Sequence, residues 1–191
     1  MKTLSLSSLL AAALLAAAPA TADVYKARPG SSVKIDGTST VHDWTVESKL
    51  VAGSMELKGD LTKPGKVDAS ADTSLSVVSI KSDKKAMDDI MHAALKSTEH
   101  PRITYKLKEL VATGDLKFEA TGDLTVAGVT KEVKFPVTME KVDDKNMKVK
   151  GVLDTKMSDF GINPPAPAIA GGAIKTGDEV KVTFEWPARK Q

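Results

Sequence analysis

The chain has no cysteine among its 191 residues. Disulfides, thiolate-bound zinc, iron–sulfur clusters and thiol catalysis are therefore excluded. Aromatic residues make up only 4%, too few for a surface that stacks bases or sugars. Charge of one sign is also missing. The 27 Lys and Arg nearly balance the 25 Asp and Glu, and the lysines are spread along the whole chain. Nucleic-acid binders carry a basic excess or stripe, so that class is set aside. Beyond the N-terminal segment, no apolar run is long enough to span a bilayer. What remains is globular composition, 41% hydrophobic and 27% charged. A chain of this size can bury a sufficient core as one domain.

The N-terminus has the layout of an export signal. Lys2 is followed by a largely apolar run from Leu4 to Ala18, and then by the small-residue site Ala20-Thr21-Ala22. Such a run is short for a membrane span and suits a cleaved signal peptide. The predicted cut lies between Ala22 and Asp23. Residues 1–22 are then the signal peptide and residues 23–191 a single domain outside the cytoplasm. No cysteine follows the cut to carry a lipid anchor.

From Val33 onward, apolar and polar residues alternate with period two, the mark of strands wetted on one face. Val180, Val182, Phe184 and Trp186 alternate with Lys181, Thr183 and Glu185. The same rhythm runs through Ala69–Val77, Ile103–Leu107, Leu116–Ala120, Val133–Met139 and Met147–Val149. Trp44, Val46 and Leu50 share a face, and the phase then shifts to Met55 and Leu57, which marks Ala52-Gly53 as a bulge or bend. Turns are predicted at Gly59-Asp60, Pro64-Gly65, Gly114-Asp115, Gly122-Asp123, Gly128, Asp143–Asn146 and Gly177-Asp178. One segment breaks the pattern. Met87, Ile90, Met91, Ala94 and Leu95 recur at helical spacing, so Ser82–Lys96 is read as an amphipathic helix with Ser82 as N-cap. A second irregular stretch, Met157 to Thr176, holds Asn163-Pro164-Pro165-Ala166-Pro167 and has the length of a functional loop. Eight or more short antiparallel strands must hide their edges, in a closed barrel or a sandwich. The fold class is all-β with one helix. The inward set is aliphatic with few large rings, which favours a cavity over a plugged interior.

Catalytic chemistry has little to stand on. His42, His92 and His100 show no zinc-binding spacing, and a metal or other cofactor is not expected. Ser39, His42 and Asp43 supply triad residue types, but adjacent strand residues point to opposite faces. No nucleophile elbow occurs. No catalytic residue is assigned. Trp44 and Trp186 are read as buried, and each indole N–H then needs an acceptor.

Four segments carry a family resemblance. They are Ile35-Asp36-Gly37-Thr38-Ser39-Thr40-Val41-His42-Asp43-Trp44, Met87 to Lys96 with His100-Pro101-Arg102-Ile103, Gly122 to Lys131, and Met157-Ser158-Asp159-Phe160-Gly161-Ile162 with Ile174 to Val180. In this order they resemble the YceI family of lipid- and polyisoprenoid-binding domains. The resemblance implies an extended lipocalin-like antiparallel barrel in the periplasm that holds a long isoprenoid, an isoprenoid quinone or another long-chain lipid. It also implies transient membrane contact and, in some members, a homodimer. Read with the amphipathic pattern, it makes Trp44, Met87, Ile90, Met91, Leu95, Phe118, Phe135, Phe160 and Phe184 the candidate lipid-binding residues. The competing reading is a stress-linked interaction domain with a filled core, and an enzyme ranks third.

Overall fold

The computed structural model describes residues 22–169 and 172–191. The strands are β1 (Asp23–Ala27), β2 (Ser32–Ser39), β3 (Trp44–Ser48), β4 (Val51–Lys58), β5 (Gly65–Ser76), β6 (Arg102–Gly114), β7 (Lys117–Val126), β8 (Val129–Lys141), β9 (Asn146–Lys156), a small hairpin of β10 (Ala168–Ile169) and β11 (Gly172–Ala173), and β12 (Thr176–Lys190). One α-helix, α1 (Lys85–Ala94), lies between β5 and β6.

Eight strands close into the expected antiparallel barrel, in the order β1-β4-β5-β6-β7-β8-β9-β12, with β12 returning to β1. The long strand β12 makes this possible. One edge pairs with β9 over Glu179–Arg189. The other edge is shared: Ala188–Lys190 pair with β1, and Thr176–Glu185 pair with β2. At one end β1 therefore closes the barrel. At the other end, β2 and β3 peel away as a flap. The free edge of β3 is covered by the segment leading into α1, through reciprocal Glu47 and Lys81 backbone hydrogen bonds of 2.8 Å.

The closed end is filled. Tyr25, Met55, Leu57, Leu110, Phe118, Val137, Met147 and Trp186 are all buried together there. Two features let long strands wrap this core. In β6 the register shifts between Leu107 and Glu109 against β7, so the inward set changes from Ile103, Tyr105 and Leu107 to Leu110 and Ala112. In β5 the register shifts against β6 between Val67 and Asp72. Such bulges bend a strand and add the coil that a closed barrel requires.

Several local expectations are corrected. Gly122-Asp123 lies inside β7 and Gly177-Asp178 inside β12, so neither is a turn. Gly122 is small because Tyr105 crosses over it: a Cβ there would stand 2.6 Å from the Tyr105 hydroxyl oxygen. The pairing of β4 with β5 runs unbroken through Ala52-Gly53, so there is no bulge at that point. Leu50 does not continue the Trp44–Val46 face; it sits between strands and is exposed. The irregular stretch after β9 is a short 3-10 turn, Ser158–Phe160, followed by extended chain and the β10–β11 hairpin. The predicted signal peptide lies outside the described residues except for Ala22.

Phe118 is 2% exposed in the filled end. Phe118→Ala should cost about 3–5 kcal/mol, the usual range for removing a buried ring. At roughly 2–4 °C per kcal/mol for a domain of this size, thermal unfolding should show a drop of on the order of 10 °C. Leu50→Ser, at an exposed site, should leave the midpoint unchanged in the same scan.

Candidate functional site

At the flap end the barrel does not fill. A cavity of about 390 Å³ opens there, between the sheet and α1. Its sheet side comes from Val33 and Ile35 of β2, Ile103 of β6, Leu124 and Val126 of β7, and Val180 and Val182 of β12. Its opposite wall is the apolar face of α1: Met87, Ile90, Met91, Ala94 and Leu95. Loops complete the rim with Val41, His42, Phe160, Pro165, Pro167 and Ile174. The only charged residues among this lining are Lys84 and Lys156; no carboxylate contributes.

The depth of the cavity follows from strand periodicity. On β12, Val182 lines it and the next inward residue, Phe184, does not. On β6, Ile103 lines it and Tyr105 does not. Just beyond the floor, Tyr105, Phe135 and Phe184 form an aromatic layer, with ring centroids 5.4 Å apart for the first pair and 5.9 Å for the second. Glycines make room for it. Gly122 underlies Tyr105, and a Cβ at Gly151 would stand 2.6 Å from the Phe184 ring. The Tyr105 hydroxyl is buried and has no hydrogen-bond partner among the described residues. Burial, with Asp123 nearby, pushes its pKa up to about 12.

The helix that forms the wall is pinned at its start by an arrangement other than the predicted cap. Its N-cap position is Lys84, which makes no side-chain capping bond. Asp88, 6% exposed, instead accepts hydrogen bonds from the Ser82 backbone N–H at 2.6 Å and from the Ser82 hydroxyl at 2.8 Å. The Lys81 ammonium lies 3.7 Å from the same carboxylate. One turn on, His92 Nε2–H donates to the Ile80 carbonyl at 2.9 Å. Burial disfavours the Asp88 charge, but the Ser82 hydrogen bonds, with Lys81 and His92 nearby, outweigh it and hold the carboxyl below its usual value.

Trp44 is set by the β2–β3 hairpin, directly opposite Gly37. Any larger residue at position 37 would collide with the indole. The Trp44 N–H donates to the Thr38 carbonyl at 3.0 Å, which satisfies the partner that sequence reasoning required. The Trp186 N–H, in the filled end, finds no partner among the described residues.

The structure thus brings Trp44, Met87, Ile90, Met91, Leu95 and Phe160 to one cavity. Phe118, Phe135 and Phe184 point into the barrel, but they belong to the core of the closed end and do not line this cavity. Val41, Pro165, Pro167 and Ile174 were not singled out, because loop residues have no periodicity to expose them. Val41 and Ile174 stand in the segments that carry the family resemblance, and Pro165 and Pro167 in the proline cluster. The three histidines are apart: His42 Nδ1–H donates to the Asp43 carbonyl at 2.7 Å, His92 holds Ile80, and His100 abuts Gly128.

A family model, the YceI-like domain, matches residues 25–188. The chain belongs to the YceI-like family. Three solved structures share the YceI-like fold with it. Burkholderia cenocepacia BcnA is 22% identical, with 82% of this chain and 95% of that one covered and a TM-score of 0.67. A polyisoprenoid binding domain from Saccharophagus degradans, implicated in plant cell wall breakdown, is 12% identical, covering 87% of this chain and 98% of that one with a TM-score of 0.68. The Campylobacter jejuni YCEI protein is 18% identical, covering 76% and 84% with a TM-score of 0.60. No curated protein sequence matches the chain significantly. No helix among the described residues of this YceI-like chain is long and apolar enough to cross a membrane.

Asp88 anchors the cavity wall, so its charge should be visible in stability. Asp88→Ala leaves the half-buried Ser82 N–H without its acceptor and should cost about 1–3 kcal/mol. A depressed folded-state pKa gives stability that is fully present above the ordinary carboxylate value of 3.8 and is lost as pH falls through the lower folded value. Denaturant titrations of both proteins from neutral pH downward should therefore show a constant gap above that value. Below it, the gap should narrow. A gap that widens on acidification would contradict this role for Asp88.

Proposed function

We propose that this YceI-like chain is a non-enzymatic carrier that sequesters one amphiphilic lipid, with the lipid chain inside the flap-end cavity. The observation that carries the reading is the cavity itself. An amphipathic helix normally spends its apolar face on core packing. Here Met87, Met91 and Leu95 pack in part against Val46, Leu75 and Ile80, and together with Ile90 they also line the cavity. Two methionines make that wall adaptable to a flexible chain. The polyisoprenoid-binding name of the Saccharophagus degradans relative supports the class of ligand. The lipid-binding residues of this reading are Trp44, Met87, Ile90, Met91, Leu95 and Phe160.

The chain is exported, is cut before Asp23 and acts in the periplasm. The Lys2, Leu4–Ala18 and Ala20-x-Ala22 layout supports this. Loading takes place in transient contact with a bilayer, where Val41, 64% exposed at the cavity rim, can enter the interface. A bilayer is as apolar as the cavity, so transfer is nearly neutral in free energy and therefore reversible.

The test is native mass spectrometry of protein purified from the periplasm without detergent, wild type beside Ile90→Asn. The expected result is a mature N-terminus at Asp23, a bound lipid in the wild type and none in the variant. The apo variant should keep its thermal midpoint, because the new amide faces a cavity that water can enter. If Ile90→Asn unfolds the protein, and Ile90→Ala leaves the lipid content unchanged, the helix face is core and the carrier reading fails.

A further inference from the structure

The seven methionines of the chain divide by place. Met1 lies in the predicted signal peptide, outside the described residues. Met55, Met139 and Met147 are 4%, 3% and 6% exposed and belong to the core of the filled end. Met87, Met91 and Met157 are half-buried, and all three line the cavity. None of the core three does. Among the described residues, every methionine outside the core therefore stands at the cavity. The lining three come from separate parts of it. Met87 and Met91, one turn apart on α1, pack against Val46, Leu75 and Ile80. Met157, just after β9, packs against Val126, Phe160 and Ile162.

That partition has a chemical consequence. The chain has no cysteine, so no thiol competes for an oxidant and the thioethers are its only sulfur. A hydroperoxide is small enough to enter a cavity of about 390 Å³ that opens to solvent, whereas the core sulfurs are reached only when the barrel opens. We propose that the cavity wall is a methionine oxidation site, in which a hydroperoxide converts Met87, Met91 and Met157 to sulfoxides and the wetted cavity releases its apolar chain. In each step a sulfur lone pair attacks the peroxide and the O–O bond breaks. One oxygen stays on sulfur, and the other leaves and takes a proton, as water when the oxidant is hydrogen peroxide. Sulfur loses two electrons and the peroxide gains them. A sulfoxide oxygen is a strong acceptor, and burying it against an apolar chain without a donor is costly. The filled end keeps its three thioethers, so the barrel itself survives. Reversal needs two electrons and two protons, the reaction of methionine sulfoxide reductases. Only the release rests on the carrier reading; the site of oxidation does not.

Graded hydrogen peroxide treatment of the purified protein tests both parts. Peptide mass mapping reads the order of oxidation, and the apolar fluorescent dye N-phenylnaphthylamine reads the cavity. Met87, Met91 and Met157 should each gain one oxygen before Met55, Met139 or Met147 does. Dye affinity should then fall by on the order of tenfold, the scale of burying one polar group without a partner, while thermal unfolding stays cooperative. A mixture of the two sulfoxide reductase types should restore it. The triple variant Met87→Leu/Met91→Leu/Met157→Leu, close to conserved in volume, should bind dye equally before and after peroxide. Met91→Gln, polar without any oxidant, should bind dye more weakly than the untreated wild type. Core methionines oxidised as early as the cavity three would overturn the site. Dye lost from the peroxide-treated triple variant as from the wild type, or unchanged binding in Met91→Gln, would overturn the release. If untreated protein binds no dye, the carrier reading falls and the release falls with it, while the mass map still decides the oxidation site.

Discussion

One edge of β12 serves two partners, and the rest of the molecule follows from that. Ala188–Lys190 bond to β1, and Thr176–Glu185 bond to β2. A backbone edge can accept only one neighbour at a given height, because each N–H and C=O on it is used once. Where β1 takes the edge, eight strands close and the inward side chains meet across a narrow space. Where β2 takes it, the sheet turns outward into a flap, and the interior widens beyond the reach of Val and Leu. The cavity is thus the geometric remainder of that change of partner.

The widening also creates a gap beside β3, and α1 occupies the space above it. Only two backbone hydrogen bonds, between Glu47 and Lys81, tie β3 to the segment preceding the helix. The helix is otherwise placed by side chains: the buried Asp88 on Ser82, and His92 on the Ile80 carbonyl. Below the cavity, the few aromatic side chains are concentrated where they decide most. Tyr105, Phe135 and Phe184 make a floor, and Gly122 and Gly151 are the concession that lets three rings share one level of a small barrel.

Alternation alone was enough to identify most strands and their inward faces, because a half-buried strand shows its period locally. The helical spacing of Met87, Ile90, Met91 and Leu95 likewise identified the wall of the cavity. Height along the barrel axis was not legible. Val180, Val182 and Phe184 belong to one alternating run in the sequence, yet the first two reach the cavity and Phe184 packs against the filled end. Register decides that, and register depends on pairings such as Tyr25 with Lys190, which join opposite ends of the chain. The same distance hid the split of β12. Gly122 and Gly177 were misread as turns because glycine marks close backbone or side-chain approach as readily as it marks a bend.

A helix over this gap has a consequence that a strand would not. A ninth strand zipped between β3 and β5 would have every other backbone group bonded across the sheet, and opening the cavity would orphan them all. The backbone bonds of α1 are internal, so moving the helix breaks none of them. Displacement costs only the two Glu47–Lys81 bonds, the Asp88 and His92 contacts, and whatever apolar area the wall buries. In the empty state the apolar area that wall buries is its packing against Val46, Leu75 and Ile80. A bound chain enlarges it by filling the cavity against Met87, Ile90 and Met91. Occupancy and helix docking therefore stabilise each other, since a ligand that binds only the closed form shifts the balance toward it. The element that walls the cavity is also the one whose backbone can leave most cheaply.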